Sequence, residues 1–446
     1  MKLKAVIILL FNFVVNFSLY SQVNRLSLDE SIKIAINNSK NLQIQDSRIK
    51  GSKAKEKEVN SQYFPQLKFN AGYSRLSEVN PFLVIIPFST TPVQISQVLL
   101  NNYTFNLSLK QQLFTGFKIS SQYKSAELNT QNEMIEYDFA ENNLAYDVRI
   151  AYLNFYKAML LKKIADDNYS RAEIHYTDTR NFLENGLATQ SDLLRIEVQK
   201  SNIKLQQIES SNKIESARLI FNKLLGLPLD TDTEIDSVNE ETIMPEININ
   251  SVLDESFSNR YELKSIDKKI LQANENIRSM KSTFYPSVWL YGNYYYSNPN
   301  IRIQPPRDQF DGTWDFGINL SWDLYNWGLT SSQVSQAEQR YSEVKTNYSV
   351  VKDQIELEVN QNYLETENQK SKTEVLKKTI ELAEENYRVV SEKYKFQLAT
   401  STELIDAEND LMDAKIKYAN AVIDLKAAIL KLYKSAGRNM IHSAGL

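Results

Sequence analysis

The sequence of residues 314–324, WDFGINLSWDL, decides the fold class of this 446-residue chain. Apolar residues occupy every second position from Trp314 to Leu324, and Asp, Gly, Asn or Ser lies between them. An alternation of this kind over about ten residues predicts a β-strand with one apolar and one polar face, as in a transmembrane barrel. Because a soluble β-sandwich shows the same alternation, the segment alone leaves both architectures open.

Period-two patterns also occur in the first half of the chain, and four strands are predicted in all. Two segments carry apolar side chains at alternate positions, namely Leu67, Phe69, Ala71 and Tyr73, and then Tyr103, Phe105, Leu107 and Leu109. Aromatic residues near the strands are predicted to lie at membrane interfaces, where Tyr and Trp are enriched; they include Tyr73, Tyr294, Trp314 and Trp322. Four strands cannot close a barrel, and an open edge in lipid costs several kcal/mol for each unpaired backbone group. If these strands lie in a membrane, several chains must share one barrel.

The sequence contains two copies of one module. Phe64-Pro65 matches Tyr285-Pro286 at an offset of 221, and the matches then continue at an offset of 211. This second offset holds without a gap from Phe105, which matches Phe316, to Gly226, which matches Gly437. A constant offset over so many positions indicates an internal duplication.

Each half is also predicted to contain long helices. The runs 119–185 and 330–397 have heptad-like apolar spacing, which predicts coiled-coil packing. At 1.5 Å per residue each would be roughly 100 Å long. Return helices are predicted over 191–225 and 401–435, and a shorter helix over 28–61 precedes the Pro65 stop. Each half is therefore a short helix, a strand pair and a long helical hairpin.

Several function classes are excluded by composition. The 51 Lys and Arg residues against 55 Asp and Glu give a net charge of −4, which argues against a nucleic-acid groove. Cysteine is absent, and the two histidines are His175 and His442. The sequence has no phosphate-binding glycine loop, paired-histidine motif or nucleophile elbow. We therefore predict no catalytic site, cofactor or metal, and assign His175 a packing or surface role.

The domain boundaries follow from these patterns. Lys2 and Lys4 precede the apolar run Ala5–Val15, which predicts a secretory signal peptide. The predicted segments are the signal peptide at 1–21, the first repeat at 22–229, an acidic linker at 230–250, the second repeat at 251–437 and a tail at 438–446.

Two local motifs complete the pattern. Leu113-Phe114-Thr115-Gly116-Phe117 is echoed by Leu324-Tyr325-Asn326-Trp327-Gly328, and the turn Gly186–Thr189 leads into Asp192–Leu194. With these motifs in this order and duplicated, the chain resembles the TolC-like outer-membrane efflux protein family over essentially its whole mature length. The resemblance implies a mixed α and β fold. Duplicated long α-helical hairpins would form a periplasmic coiled-coil barrel, and four transmembrane β-strands per chain would form a 12-stranded trimeric β-barrel.

The same resemblance implies a function. The chain would be the passive exit duct of a tripartite efflux pump or type I secretion system, in the outer membrane of a Gram-negative bacterium, and not an enzyme. Its partners would be two further copies in a homotrimer, a periplasmic adaptor (membrane fusion) protein, an inner-membrane transporter of RND, ABC or MFS type, and outer-membrane lipid. The alternative is a periplasmic coiled-coil scaffold or adhesin without a pore.

The resemblance also assigns site residues. It places a periplasmic gate at Asp406, Glu403, Asp192 and Tyr394, and adaptor-docking tips at Gly186, Leu187, Gln397 and Leu398. An arginine that commonly assists the gate is replaced by Ala399.

Simpler roles fit several of these residues. Thr189 with Asp192 and Thr400 with Glu403 match capping boxes. The two leucines could staple their turns, and Tyr394 could be packed between helices. Asp406 lies outside the box and is the cleaner gate candidate. The apolar stretch Pro81–Phe88 is explained by none of these roles.

Overall fold

The computed structural model describes residues 24–88, 90–95, 97–238 and 247–442. The predicted signal peptide lies outside the described residues, as do parts of the predicted linker and tail. The chain divides into two compact units. The first comprises the residues up to Asp46, Glu136–Lys264 and the residues from Val350 onward, and the second comprises Ser47–Ile135 and Ser265–Ser349.

The two halves share two short helices, two long strands and a long helical hairpin in the same order, and the first half also has two short strands at Leu83–Val84 and Val93–Gln94. The first half has β1 (Asn24–Leu26), α1 (Leu28–Asn38), α2 (Lys40–Ser61), β2 (Gln66–Arg75), β3 (Leu83–Val84), β4 (Val93–Gln94), β5 (Asn101–Phe114), α3 (Lys118–Glu184) and α4 (Gln190–Leu225). After β6 (Thr233–Ile235) the second half has α5 (Ile249–Asn259), α6 (Tyr261–Lys281), a 3₁₀ turn (Ser282–Phe284), β7 (Ser287–Asn298), β8 (Asp311–Ser321), α7 (Leu329–Lys395) and α8 (Ser401–Ser435). The long helices α3 and α7 both have 67 residues, so the duplication extends from sequence to structure.

Two differences from the predicted elements have a clear physical cause. The helix predicted over 28–61 is broken at Ser39, whose backbone is extended and whose hydroxyl accepts a hydrogen bond from the Leu42 amide at 3.2 Å. A serine in this position caps the following helix, so α2 starts anew. Strand β8 ends at Ser321 rather than Leu324. Its partner β7 begins at Ser287, directly after Pro286, and Ser287 pairs with Ser321, so β8 has no partner on β7 beyond that point.

The second unit contains a four-stranded antiparallel sheet in the order β2-β5-β7-β8. Because side chains alternate along a strand, the register gathers most of the apolar residues on one face. That face carries Leu67, Phe69, Tyr73, Phe105, Leu107, Leu109, Leu290, Tyr294, Trp314, Phe316, Ile318 and Leu320. The opposite face is mainly polar and carries Lys68, Asn70, Ser108, Lys110, Asn293, Thr313, Asp315 and Asn319, together with the aromatic residues Trp289, Tyr291 and Tyr295. Strands β2 and β8 are the two edges, and among the described residues neither has a partner on its outer side.

The first unit has a conventional apolar core. Ile32, Val148, Phe221 and Leu225 are buried together beside the parallel pair of β1 and β6. The hydroxyl of Tyr152 donates to the carbonyl of Leu26 at the end of β1, at 3.3 Å, and to that of Asp236 directly after β6, at 3.0 Å. The predicted acidic linker therefore contributes a strand to this core.

Equivalent glycines follow the two return helices. Gly226 and Gly437 have φ values of +69° and +75°. A Cβ at Gly226 would lie 2.8 Å from the Cβ of Asn38, and one at Gly437 would lie 2.9 Å from that of Asn259. The offsets that align the halves pair Asn38 with Asn259 as well, so both copies have the same close contact. No helix in the described part of the chain is long and apolar enough to cross a bilayer.

Candidate functional site

The two hairpin turns, between α3 and α4 and between α7 and α8, have the same backbone design. The amide of Leu187 donates to the Phe182 carbonyl and that of Leu398 to the Lys393 carbonyl, both at 2.8 Å. The preceding residues are left-handed, with φ of +75° at Gly186 and +58° at Gln397. These features define the helix-ending motif in which glycine is usual. Leu187 and Leu398 are 58% and 76% exposed, so much of each residue is available for contact with another protein.

Both return helices begin with a complete capping box. The Thr189 amide donates to the Asp192 carboxylate at 3.0 Å, and the Asp192 amide donates to the Thr189 hydroxyl at 3.2 Å. Thr400 and Glu403 make the same pair of bonds, at 2.7 and 3.2 Å. Hydrogen bonds from the Thr400 amide and hydroxyl lower the pKa of Glu403. The capping role weighed from the sequence is therefore present at both positions.

Asp192 also links the two hairpins of one chain. Its second carboxylate oxygen accepts a hydrogen bond from the Ser401 hydroxyl at 2.7 Å. Hydrogen bonds from the Thr189 and Ser401 hydroxyls lower the pKa of Asp192. One turn further on, Arg195 Nη1 donates to the Thr402 hydroxyl at 2.6 Å. The first turns of α4 and α8 are thus joined by polar side chains.

Tyr394 and Asp406 are in contrasting environments. Tyr394 on α7 is buried, its hydroxyl lies 2.7 Å from the Thr179 hydroxyl, and its ring meets the edge of Phe182 on α3. Burial raises the pKa of Tyr394. Asp406 on α8 is exposed and lies outside the capping box. Within one chain Tyr394 is packed between helices, and Asp406 is the gate candidate whose carboxylate faces solvent.

A buried polar cluster near these residues was missed by the sequence analysis. It consists of Arg171 and His175 on α3, Tyr387 on α7 and Glu408 on α8. Glu408 is 2% exposed, and its Oε1 lies 3.9 Å from Arg171 Nε, too far for a hydrogen bond. His175 Nε2 lies 2.9 Å from the Tyr387 hydroxyl.

Burial dominates the electrostatics of this cluster. It raises the pKa of Glu408 to about 7, lowers that of His175 and raises that of Tyr387. The burial of Glu408 could have been predicted from the sequence, because Glu408 lies between Leu404 and Leu411 on the apolar stripe of α8. The packing role considered for His175 agrees with its buried position.

The predicted interface aromatics lie near both ends of the sheet. Tyr73 is opposite Tyr103 near the end of β2, with ring centroids 5.0 Å apart. Tyr294 is opposite Trp314 on the same apolar face. Trp322 lies just beyond the other end of β8, where its indole donates to the Phe284 carbonyl at 3.1 Å.

Comparisons with known proteins identify the family. The model of the family described as outer membrane efflux protein matches residues 31–227 and 252–438. The outer membrane efflux protein BepC of Brucella suis is 21% identical over 243 residues, which are 54% of this chain and 51% of that protein. The chain thus spans about half the length of the curated relative it matches.

Solved structures share the fold. The outer membrane protein VceC of Vibrio cholerae has a TM-score of 0.75 at 16% identity, over 93% of this chain and 96% of that one. The CmeC outer membrane channel of Campylobacter jejuni has a TM-score of 0.76 at 15% identity, over 92% of this chain and 85% of that one. The chain belongs to the outer membrane efflux protein family and is a protein of the outer membrane. The predicted family and the helix-rich mixed fold are confirmed.

Proposed function

We propose that this chain is the outer-membrane exit duct of an efflux pump or type I secretion system and works as a homotrimer. The observation that supports this most strongly is the four-stranded sheet, which has one apolar face, one polar face and two open edges. An apolar face suits lipid, and a polar face suits a water-filled lumen. Open edges in hydrocarbon leave backbone groups unpaired at a cost of several kcal/mol each.

In a trimer the open strand edges of neighbouring copies would pair with one another. Since β2 and β8 are antiparallel in the sheet order, the edge of β2 in one copy can pair with the edge of β8 in the next. Three four-stranded sheets then close a 12-strand barrel. Strands of 10 to 14 residues are long enough for the apolar band of about 25 Å in the outer membrane. The pore-free scaffold has no comparable reason for an exposed apolar sheet.

The hairpin turns carry the second part of the proposal. In a trimer the exposed Asp406 carboxylates would form a ring of three around the axis, with Glu403, Asp192 and Tyr394 holding the helix ends beside it. Like charges at close range favour uptake of a proton or cation. The exposed Leu187 and Leu398, presented by Gly186 and Gln397, would receive the periplasmic adaptor, and an inner-membrane transporter would load the duct.

The membrane aromatics complete the assignment. Tyr73, Tyr294 and Trp314 on the apolar face and Trp322 beyond the far end of β8 would mark the two lipid interfaces. We also propose the domain division predicted from the sequence, in which the two repeats lie on either side of the linker at 230–250.

The test uses the full-length protein extracted from outer membranes in mild detergent. Light scattering is expected to give the mass of three chains, and the same material is expected to form discrete conducting channels in planar bilayers. Monomeric protein, or a trimer that never conducts, would refute the duct. Recovery of the mature chain in the soluble periplasmic fraction would instead favour the scaffold.

A further inference from the structure

The segment that follows β2 is unusually apolar for the outer end of a membrane strand. Between Leu76 and Leu100 the sequence has one charged residue, Glu78. Most of its large apolar side chains are exposed, and Ile85 is 77% exposed. The exposed set comprises Leu76, Val79, Phe82, Leu83, Ile85, Ile86, Phe88, Val93 and Ile95. Residues 76–88 and 90–95 are called the apolar hairpin below.

The apolar hairpin has a defined backbone. Leu83 pairs with Gln94 and Val84 with Val93 in β3 and β4, and the Ile95 amide donates to the Phe82 carbonyl at 3.3 Å. At its base the Leu76 amide donates to the Leu100 carbonyl at 2.7 Å, which continues the β2–β5 ladder. The exposed side chains are therefore presented by a hydrogen-bonded structure.

Lipid does not provide the natural cover for this surface. The ten residues of β2 already suffice for the apolar band of the membrane, and in the proposed duct Tyr73 would mark its outer interface. The apolar hairpin follows beyond that point, where water and polar head groups are the alternatives to protein. An exposed apolar patch of this size on a soluble surface usually marks a protein contact.

We propose that the apolar hairpin packs against the β7–β8 loop, residues 299–310, of the neighbouring copy in the trimer; this rests on the trimer proposed above. Pairing of the β2 edge with a β8 edge places the end of β2 beside the start of β8, because the strands are antiparallel. The hairpin leaves β2 after Arg75, and the β7–β8 loop enters β8 at Asp311. The two loops therefore meet at the same end of the junction between copies.

The β7–β8 loop offers an exposed apolar side chain on an anchored backbone. Ile301 is 85% exposed although the residues on both sides of it are anchored. Asn300 donates to the Asp311 carbonyl at 3.0 Å, and Arg302 bonds the Asp315 carboxylate at 3.2 Å on the polar face of the sheet. The loop is thus held in place while it presents an apolar side chain, which is the counterpart the apolar hairpin requires.

The test exploits the absence of cysteine from the chain. Two differently tagged full-length chains, one with Ile85→Cys and one with Ile301→Cys, are coexpressed and treated in intact outer membranes with a short bismaleimide. The expected product is a covalent heterodimer carrying both tags. Coexpression of Leu271→Cys with Ile301→Cys is the control, because Leu271 is exposed on α6, which leads into the opposite end of the sheet; it is expected to give no heterodimer.

The outcomes separate this proposal from the trimer itself. A trimer by light scattering that yields no Ile85–Ile301 heterodimer refutes the loop contact and leaves the duct standing. Cross-linking of Ile85→Cys chains to one another alone also refutes it, since the hairpins would then meet around the axis. Absence of a trimer refutes the duct. As a second measure, Ile85→Ser is expected to speed subunit exchange between trimers about tenfold, through loss of one buried apolar side chain. An unchanged exchange rate contradicts the contact.

Discussion

The buried carboxyl of Glu408 gives the most quantitative prediction. Its pKa is about 7 in the folded chain against an ordinary 4.5. Each pH unit of difference is worth about 1.4 kcal/mol, so ionised Glu408 costs the fold about 3 kcal/mol. The unfolded carboxyl ionises near pH 4.5 while the folded one keeps its proton. The free energy of unfolding therefore falls as pH rises from 4.5, and the full cost is present above pH 7.

The side chains around Glu408 also bear on how the free energy of unfolding depends on pH. His175 on α3 has a pKa lowered by burial, so its own cost appears only as pH falls below 6.5. Arg171 donates a hydrogen bond to the Asn168 side chain at 3.2 Å. Tyr387 on α7 has a raised pKa and is neutral throughout this range. Glu408→Gln is therefore expected to stabilise the region by up to about 3 kcal/mol at pH 8, with little effect near pH 5.

Hydrogen–deuterium exchange of α8 in the detergent-solubilised protein measures this effect, after correction for the intrinsic pH dependence of exchange. Wild type should lose protection around residues 404–412 between pH 5 and pH 8, whereas Glu408→Gln should not. Asp410→Asn, an exposed carboxyl on the same helix, is the matched control and should behave as wild type. Equal protection of wild type and Glu408→Gln at pH 8 would contradict the reasoning.

The remaining predictions concern the two hairpin turns, the proposed gate at Asp406 and the turn at Gly116 that follows β5. Gln397→Gly should raise the free energy of unfolding by about 1 kcal/mol, because it removes a glutamine from the left-handed backbone conformation. Gly186→Gln should lower the free energy of unfolding by about as much. Thermal denaturation measures both effects, and variants with the same midpoint as wild type would refute the backbone strain. Asp406→Asn should change single-channel conductance or cation block in planar bilayers, whereas Asp410→Asn should not. If Asp406→Asn behaves like wild type, Asp406 is an ordinary solvated surface residue. Leu187→Ala and Leu398→Ala should weaken cross-linking to the adaptor, with the exposed Leu364→Ala as control; unchanged cross-linking would exclude the docking role. Gly116→Ala should block assembly of the proposed trimer, because the φ of Gly116 is +61° and a Cβ would clash with the Ser282 carbonyl oxygen. Gly51→Ala in α2 has free space and should be tolerated, and normal yields of Gly116→Ala trimers would contradict this reasoning.

The long elements were predictable because their signals are local. Heptad spacing without Gly or Pro placed α3 and α7 within one or two residues of their observed ends. The capping boxes at Thr189 and Thr400 follow from residues three apart, and both are formed. The break at Ser39 was missed, because a helical pattern of apolar residues does not show where one helix ends and the next begins.

The sequence by itself determined the duplication, the long helices and the alternation that gives each strand an apolar and a polar face. These features depend on neighbours a few residues apart. Only the tertiary structure decided which partners they meet: Asp192 bonds Ser401, Tyr394 meets Thr179 and Glu408 is enclosed beside Arg171. Each of these pairs joins residues more than 200 positions apart. Periodicity tells which residues share a helix face, but what packs against that face depends on how distant segments meet.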